Sequence, residues 1–267
     1  MQGSGNDFVV IDNRKNQYSL EEVVEYTPRL CNRKYGVGAD GLMALNPPEQ
    51  PGLDYTMIYR NADGSDAGMC GNGSRCLALY ASQLGLGASL TFNVHEHIYS
   101  ARIHDQQQVS VAFPVEVTVA ELQDDDGSTL YQAYTGTEHI VRMVTGSLLK
   151  DEKQLAIEGR RLRKHAMFQP GGTNVNFMYG GKGQQPFIHT YERGVEDLTL
   201  ACGTGAIASA LVWHHRQGSV EIDNRVEIHT SGGALQVYFT YTPETASYTD
   251  IKLEGPAHFV FEGTFYV

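Results

Sequence analysis

The sequence predicts an α/β (α+β) fold made of two similar halves. The first observation behind this is a cysteine-glycine signature that occurs twice. Cys70-Gly71-Asn72-Gly73 lies in the first half, and Cys202-Gly203-Thr204-Gly205 follows 132 residues later; a small, apolar, helix-prone run follows each. The second is composition. With 29 glycines and 15 tyrosines in 267 residues, the chain reads as rich in strands and turns, and 41% hydrophobic content is ample for real cores. A motif displaced by half the chain points to internal duplication. The expected domains are 1–114 and 115–253, with a C-terminal strand over about 254–267 packing back on the first, and a shared cleft for a small molecule between them.

The elements follow in order. Asp7–Asp12 is a short apolar run and predicts a strand. Ser19-Leu20-Glu21-Glu22 matches a capping box, so a helix is expected from there towards Cys31, limited or bent by Pro28. Strands are expected at Leu42–Leu45 and Asp54–Arg60, then a helix after Cys70 to Leu84, closed by Gly85. Three strand candidates, Ser89–Val94, Ile98–His104 and Val109–Phe113, lead to the boundary at Pro114. The second half predicts strands at Val115–Leu122, Leu130–Thr135 and His139–Val144, and a charged surface helix over Lys150–Lys164. Strands at Thr173–Tyr179 and Pro186–Arg193 precede the second signature, whose helix should reach His215. Arg225–His229, Leu235–Tyr241, Ser247–Leu253 and His258–Phe265 complete the strands.

The formal charge is −11, from 20 Lys+Arg against 31 Asp+Glu, which argues against nucleic acid or an anionic membrane as partner. There is no apolar run near the length of a membrane span and no signal-peptide pattern, so the cytoplasm is the expected compartment. Cys31, Cys70, Cys76 and Cys202 are too few for a disulfide scaffold and match no zinc spacing, so no metal is expected.

The chemistry centres on the two signatures. A cysteine just before a helix lies beside unpaired N–H groups and the positive end of the dipole, which lowers a thiol pKa. Two such thiols, one per half, suggest a pair of acid/base groups facing one substrate; a redox pair is the second possibility. Cys31 and Cys76 fall within predicted helices and are expected in the core. The glycine loops lack the third glycine of a dinucleotide fingerprint and the Lys of a P-loop, so the helix N-termini read as carboxylate binders. Arg193 has the right chemistry to hold a carboxylate, and Glu192 to accept from an ammonium or assist a thiol proton. Taken alone, this pair also fits a surface ion pair. Asn6, Asn61 and Asn174 sit at strand ends or turns, where asparagine is common. His139 fits a base beside a thiol, and equally a structural histidine.

The chain resembles diaminopimelate epimerases, a family of cofactor-independent amino-acid epimerases. The resemblance rests on Gly3-Ser4-Gly5-Asn6-Asp7-Phe8, Gly36-Val37-Gly38-Ala39-Asp40-Gly41 and Asn61-Ala62-Asp63-Gly64-Ser65, on both cysteine signatures, and on Asn174-Val175-Asn176-Phe177 and Glu192-Arg193-Gly194, in family order over nearly the whole chain. It implies two pseudo-symmetric domains, each a barrel-like, mostly antiparallel sheet around a central helix. It also implies interconversion of LL- and meso-diaminopimelate in lysine and peptidoglycan-precursor synthesis, without a cofactor, and a homodimer. By the resemblance Cys70 deprotonates the LL isomer and Cys202 the meso isomer; His139 and Glu192 are expected from their own chemistry to support proton transfer. Asn6, Asn61, Asn174, Glu192 and Arg193 contact substrate, and N–H groups at Gly71-Asn72 and Gly203-Thr204 hold the reacting carboxylate. The chain departs from the family at Thr137-Glu138-His139, where Asn-Pro-His is usual, so Thr137 takes the asparagine's place and Glu138 adds a charge. Gly41 stands where some members place a side-chain contact, and Met1-Gln2 leaves almost no strand ahead of Gly3. The alternatives are a racemase for another amino acid such as proline or hydroxyproline, and a non-catalytic amino-acid-binding or thiol-redox relative.

Overall fold

The computed structural model describes residues 1–105, 107–181 and 184–266. Its contacts divide the chain into two compact units, one of residues 1–113 with 254–267 and one of 114–253.

In the first unit, β1 (Gln2–Gly3) pairs with β2 (Asn6–Asp12), and α1 (Leu20–Cys31), β3 (Gly41–Asn46) and β4 (Tyr55–Asn61) follow. Then come α2 (Gly71–Ala81), β5 (Ser89–Val94), β6 (His97–Ile103) and β7 (Gln108–Phe113). β2 and β3 run parallel, β3 and β4 antiparallel, β4 and β5 parallel, and β5, β6 and β7 antiparallel. The ring closes through the returning chain, where Ala257 N donates to Gln107 O and His258 bridges Gln2. α2 runs through this ring with every residue buried except Tyr80, including the polar Asn72, Ser74 and Arg75. α1 lies outside, with Val23 and Cys31 packed against Leu42 and Ala44 of β3. Its capping box forms: Ser19 Oγ accepts from Glu22 N at 3.2 Å, and Glu22 Oε2 accepts from Ser19 N at 2.8 Å.

The second unit starts with β8 (Val117–Thr118), β9 (Ala120–Gln123), β10 (Thr129–Tyr134) and β11 (Glu138–Met143). α3 (Gly146–Leu149), α4 (Glu152–Arg163), β12 (Asn174–Tyr179), β13 (Phe187–Glu192) and β14 (Asp197–Thr199) follow. α5 (Gly203–Gln217), β15 (Asp223–Thr230), β16 (Gly233–Thr242) and β17 (Ser247–Pro256) complete it. β11 and β12 are parallel, β12 and β13 antiparallel, β13 and β15 parallel, and β15 and β16 antiparallel, which is the order of the first unit. α5 is the buried central helix here. α4 covers the outside, with Leu155 and Leu162 fully buried against Val175, Phe177 and Tyr191; each such leucine contributes about 1.5–3 kcal/mol by burial.

The shared topology makes the repeat residue-specific. Phe8 pairs with Gly41, which pairs with Asn61. In the second unit His139 pairs with Asn174, and because Val175 pairs with Tyr191, Asn174 stands beside Glu192. Phe8, Gly41 and Asn61 therefore correspond to His139, Asn174 and Glu192, and two residues before Phe8 and His139, Asn6 corresponds to Thr137.

α1 runs to Cys31 as expected, and Pro28 does not limit it. α2 ends at Ala81 and continues into a wide helical turn over Ser82–Leu86, with Gly85 at φ +90° close to the expected end. Two elements differ from expectation. The run Val115–Leu122 is two short strands rather than one. The C-terminal strand over about 254–267 is not formed: β17 stops at Pro256, and beyond it the described residues make only the bridge at His258. Residues 259–266 have strand-like composition, but β1 offers two residues of edge and its other side is taken by β2. Val267 lies outside the described residues.

Candidate active site

Each signature cysteine is the N-cap of its unit's central helix, with extended backbone at φ −126°, ψ 114° for Cys70 and φ −111°, ψ 116° for Cys202. The middle glycines are required by packing. A Cβ on Gly73 would lie 1.6 Å from Met43 Cε, and one on Gly205 would lie 2.4 Å from Asn176 Oδ1. Neither has positive φ, so these glycines bring the helix start against the barrel wall. The result is a sulfur beside the unpaired N–H groups of a helix end in both units.

Around Cys70, Gly73 N donates to Sγ at 3.5 Å, and Sγ lies 3.8 Å from Asn6 Oδ1. Asn6 Nδ2 donates to Asp40 Oδ2 at 2.7 Å, and Arg33 holds both Asp7 and Asp40. That guanidinium, together with hydrogen bonds from Asp40, keeps the Asp7 carboxyl below the usual range against the opposing effect of burial. Asn72 is buried and its Oδ1 accepts from Arg75 Nη2 at 2.9 Å. Asn61 Nδ2 donates to Ser65 Oγ at 3.0 Å, which ties down the turn after β4.

Around Cys202, Sγ lies 3.5 Å from Thr204 Oγ1, which lies 2.9 Å from His139 Nε2. The imidazole is fully buried, and desolvation first, then the charge of Arg193, pushes its pKa down to about 3. It is neutral at physiological pH, and its tautomer follows from its neighbours. Asn176 Nδ2 donates to Ile140 O at 2.9 Å, which fixes the amide, and lies 3.1 Å from His139 Nδ1. Nδ1 therefore accepts and Nε2 carries the proton, donating to Thr204 Oγ1 and leaving the hydroxyl hydrogen for Cys202 Sγ. Thr190 Oγ1 donates to Asn176 Oδ1 at 2.8 Å, so the amide has a partner on each atom.

Arg193 Nη2 donates to Thr137 Oγ1 at 3.0 Å and Nη1 to Gly171 O at 3.3 Å. Its backbone N–H donates to Asn174 Oδ1 at 2.8 Å, while Asn174 Nδ2 donates to Glu138 O at 2.9 Å. The Asn174 amide thus links β11 to the end of β13, where Glu192 is half-buried. The Glu138 carboxylate accepts from Gln132 Nε2 at 3.5 Å, so its charge leans on β10.

Within the second unit the structure brings Cys202, Thr204 and His139 into one chain of contacts, and Thr137, Asn174 and Arg193 into another. Within the first it joins Cys70 with Asn6, while Asn61 bonds to its own turn. Cys31 and Cys76 are buried, and burial pushes both thiols up to about 12. Sequence reasoning missed Asn176 and Arg75. Asn176 shares a strand face with Asn174 two residues earlier, and that period of two was the available signal; Arg75 gave none, because a helix arginine reads as surface. Asp124, Asp125 and His165 also gather, but Asp124 is bound by Arg142 and Arg161. Among the described residues no helix is long and apolar enough to cross a membrane.

The fold defines the class. A phenazine biosynthesis protein of the PhzF family from Bacillus anthracis superposes with TM-score 0.73 at 11% identity, covering 97% of this chain and 93% of that one. A hydroxyproline epimerase from Agrobacterium vitis superposes with TM-score 0.65 at 15% identity, covering 96% and 86%. The chain thus shares the two-unit, barrel-and-helix architecture of PhzF-like and proline-racemase-like proteins. Sequence comparison is more specific. The diaminopimelate epimerase family model matches twice, over residues 1–133 and 131–252. Diaminopimelate epimerases of Flavobacterium psychrophilum and Chlorobaculum tepidum are each 36% identical, covering 98% and 99% of this chain and 97% and 99% of theirs. That of Aquifex aeolicus is 37% identical, covering 98% and 95%. The chain belongs to the diaminopimelate epimerase family, a family of isomerases.

Proposed function

We propose that this protein interconverts LL- and meso-diaminopimelate with two thiols, Cys70 and Cys202, one removing the α-proton and the other delivering a proton to the opposite face. The observation that carries the reading is the repeated N-cap: each cysteine starts a buried central helix, with backbone donors in the next residues. One sulfur, as thiolate, takes the proton from the α-carbon; the C–H pair moves into the carbon and its carboxylate. The other sulfur, as thiol, gives its proton to the opposite face and becomes the thiolate. One turnover therefore inverts the carbon and exchanges the sulfurs' roles, with no external oxidant or group donor.

The α-carbon is a weak acid, so the developing negative charge needs fixed donors. N–H groups at Gly71-Asn72 and Gly203-Thr204 supply them, and losing one such donor costs on the order of 3–4 kcal/mol of barrier. Arg193, with Thr137 beside it, takes the distal carboxylate, and Glu192, Asn6, Asn61 and Asn174 take the amino groups and orient the chain. His139 and Glu192 support the proton transfers. A homodimer in a reducing cytoplasm completes the reading. Val260, Phe261 and Tyr266 are exposed apolar residues that support the dimer, and sedimentation velocity measures it.

The deciding experiment follows solvent deuterium into the α-position of LL-diaminopimelate under reducing conditions. Incorporation with inversion is expected, and its absence from the native protein overturns the reading. Cys70→Ser and Cys202→Ser should each slow inversion by several orders of magnitude.

A further inference from the structure

β2 and β3 run parallel with Phe8 opposite Gly41, and that register sets the start of β2 against the residue that precedes β3. Asn6 and Asp7 open β2, and Asp40 stands just before β3. The two aspartates exchange backbone bonds: Asp7 N donates to Asp40 Oδ2 at 3.3 Å, and Asp40 N to Asp7 Oδ1 at 2.9 Å. Arg33 donates to Asp40 Oδ1 at 2.7 Å and to both carboxylate oxygens of Asp7. From the turn after β4, Ala62 N donates to Asp40 O at 3.1 Å. Asp40 is therefore held by its main chain and by both side-chain oxygens, although it is exposed.

Asp40 Oδ2 also accepts from Asn6 Nδ2, at 2.7 Å. A carboxylate only accepts, so this bond decides which way the Asn6 amide faces. Its NH2 end is turned to Asp40, and its carbonyl oxygen lies 3.8 Å from Cys70 Sγ, within reach of the S–H. We propose that Asp40 is a positioning residue for the first thiol: it holds the Asn6 amide with its oxygen, not its nitrogen, towards Cys70. The orientation matters because the sulfur already accepts from Gly73 N at 3.5 Å at the helix start. Each further donor would favour the thiolate and make it a weaker base, whereas a carbonyl oxygen accepts from the S–H and favours the thiol. A sulfur that takes a proton from carbon in one direction and gives one back in the other needs this balance. For that purpose the inference rests on the two-thiol reading. The register makes Asn6 the counterpart of Thr137, and that position too is held by a charged side chain, Arg193 Nη2 donating to Thr137 Oγ1 at 3.0 Å.

The other titratable groups near the start of α2 lie on α2 and the elements around it. Asp7 shares Arg33 with Asp40, and Asp12 takes Arg14. The Met1 ammonium donates to Phe8 O, and Tyr59 packs edge-on against Phe8. In the turn after β4, Ser65 donates to Asp63, and Asp66 meets Arg60 and His95. His104 meets Glu254, and His97 and Arg102 are exposed. On α2 itself Arg75 donates to Gly71 O and Asn72 Oδ1, and burial pushes Cys76 up to about 12. Substituting Asp40 changes two things for the sulfur: a charge in its surroundings and the amide beside it. Two substitutions separate them. Asp40→Asn removes the charge and keeps an oxygen for Asn6 Nδ2, whereas Asp40→Ala removes both.

The test needs no turnover. The whole protein, kept reduced, is alkylated with iodoacetamide across about pH 5–10, and the reaction midpoint at Cys70 is read by peptide mass spectrometry. Only the thiolate reacts, so the midpoint reports the balance between thiol and thiolate. Asp40→Ala should lower the Cys70 midpoint by about half a pH unit or more, because the Asn6 amide is free to turn its NH2 to the sulfur. Asp40→Asn should keep most of the native midpoint. With Asn6→Ala already present, Asp40→Ala should add no shift, because Asp40 acts through Asn6. An unchanged or raised midpoint in Asp40→Ala overturns the proposal. So does an equal fall in Asp40→Asn, or the same fall in the Asn6→Ala background, since either traces to charge alone. If Asp40→Ala does not fold, Asn6→Ala by itself removes the same oxygen, and a midpoint that fails to drop there overturns the proposal. Absence of α-proton exchange with these midpoints as expected would overturn the epimerase reading and leave the positioning role supported.

Discussion

Asn176 donates to Ile140 O and to His139 Nδ1, and those two bonds decide where the proton sits on the buried ring. Because Nε2–H points at Thr204, the threonine hydroxyl links His139 to Cys202. Thr204→Val keeps the backbone N–H and removes this link. It should slow proton transfer at Cys202 about tenfold or more, read as deuterium exchange into meso-diaminopimelate, with a smaller effect on exchange into the LL isomer. The cysteines stood out in the sequence because a thiol before Gly-polar-Gly has few structural reasons to recur. Arg193 stood out by its chemistry but fitted a surface ion pair equally, and Asn6, Asn61 and Asn174 were singled out as substrate contacts only through the family resemblance. Arg75 was not legible, since its burial depends on β1 and on residues 254–258 closing over it, a contact of very long sequence separation.

At the scale of elements, the helix starts are set by close packing. Gly73→Ala and Gly205→Ala place a methyl group against Met43 and Asn176 and should each destabilise their unit by about 1–3 kcal/mol in urea unfolding. Ser19→Ala breaks the capping box of α1 and should cost about 1 kcal/mol by the same measurement. Period and punctuation made α1, α4 and most strands readable. Pro28 does not end α1 because a helix anchored on both sides of a proline by buried Val23, Thr27 and Cys31 tolerates it. The strand beyond Pro256 failed because composition records what a backbone prefers, whereas a strand needs an unoccupied edge. The correspondence of Asn6 with Thr137, and of Asn61 with Glu192, became visible only from strand register.

For the whole molecule, acid should act unevenly. His139, His189 and His214 all lie in residues 114–253, and burial lowers each, His139 to about 3. A histidine depressed in the folded state binds its proton more readily when unfolded. Stability is therefore full above pH 6.5 and falls as pH drops towards the folded value. For His139 the loss is on the order of 4 kcal/mol across that window. Lowering the pH from 7 to 5 should weaken hydrogen-exchange protection in 114–253 before 1–113, and His139→Gln should remove much of the difference.

The closure of the first barrel by residues 254–258 carries a consequence for how the protein is made. Those residues leave the ribosome after the entire second unit. During translation the middle of the chain can finish folding while the first barrel, begun earliest, still lacks its last stave. Until then Arg75 has no Pro256 carbonyl to meet, and Gln2 no His258. The thiol signature synthesised first is the one completed last, and a nascent chain stalled before residue 254 would carry one finished helix cap and one open one.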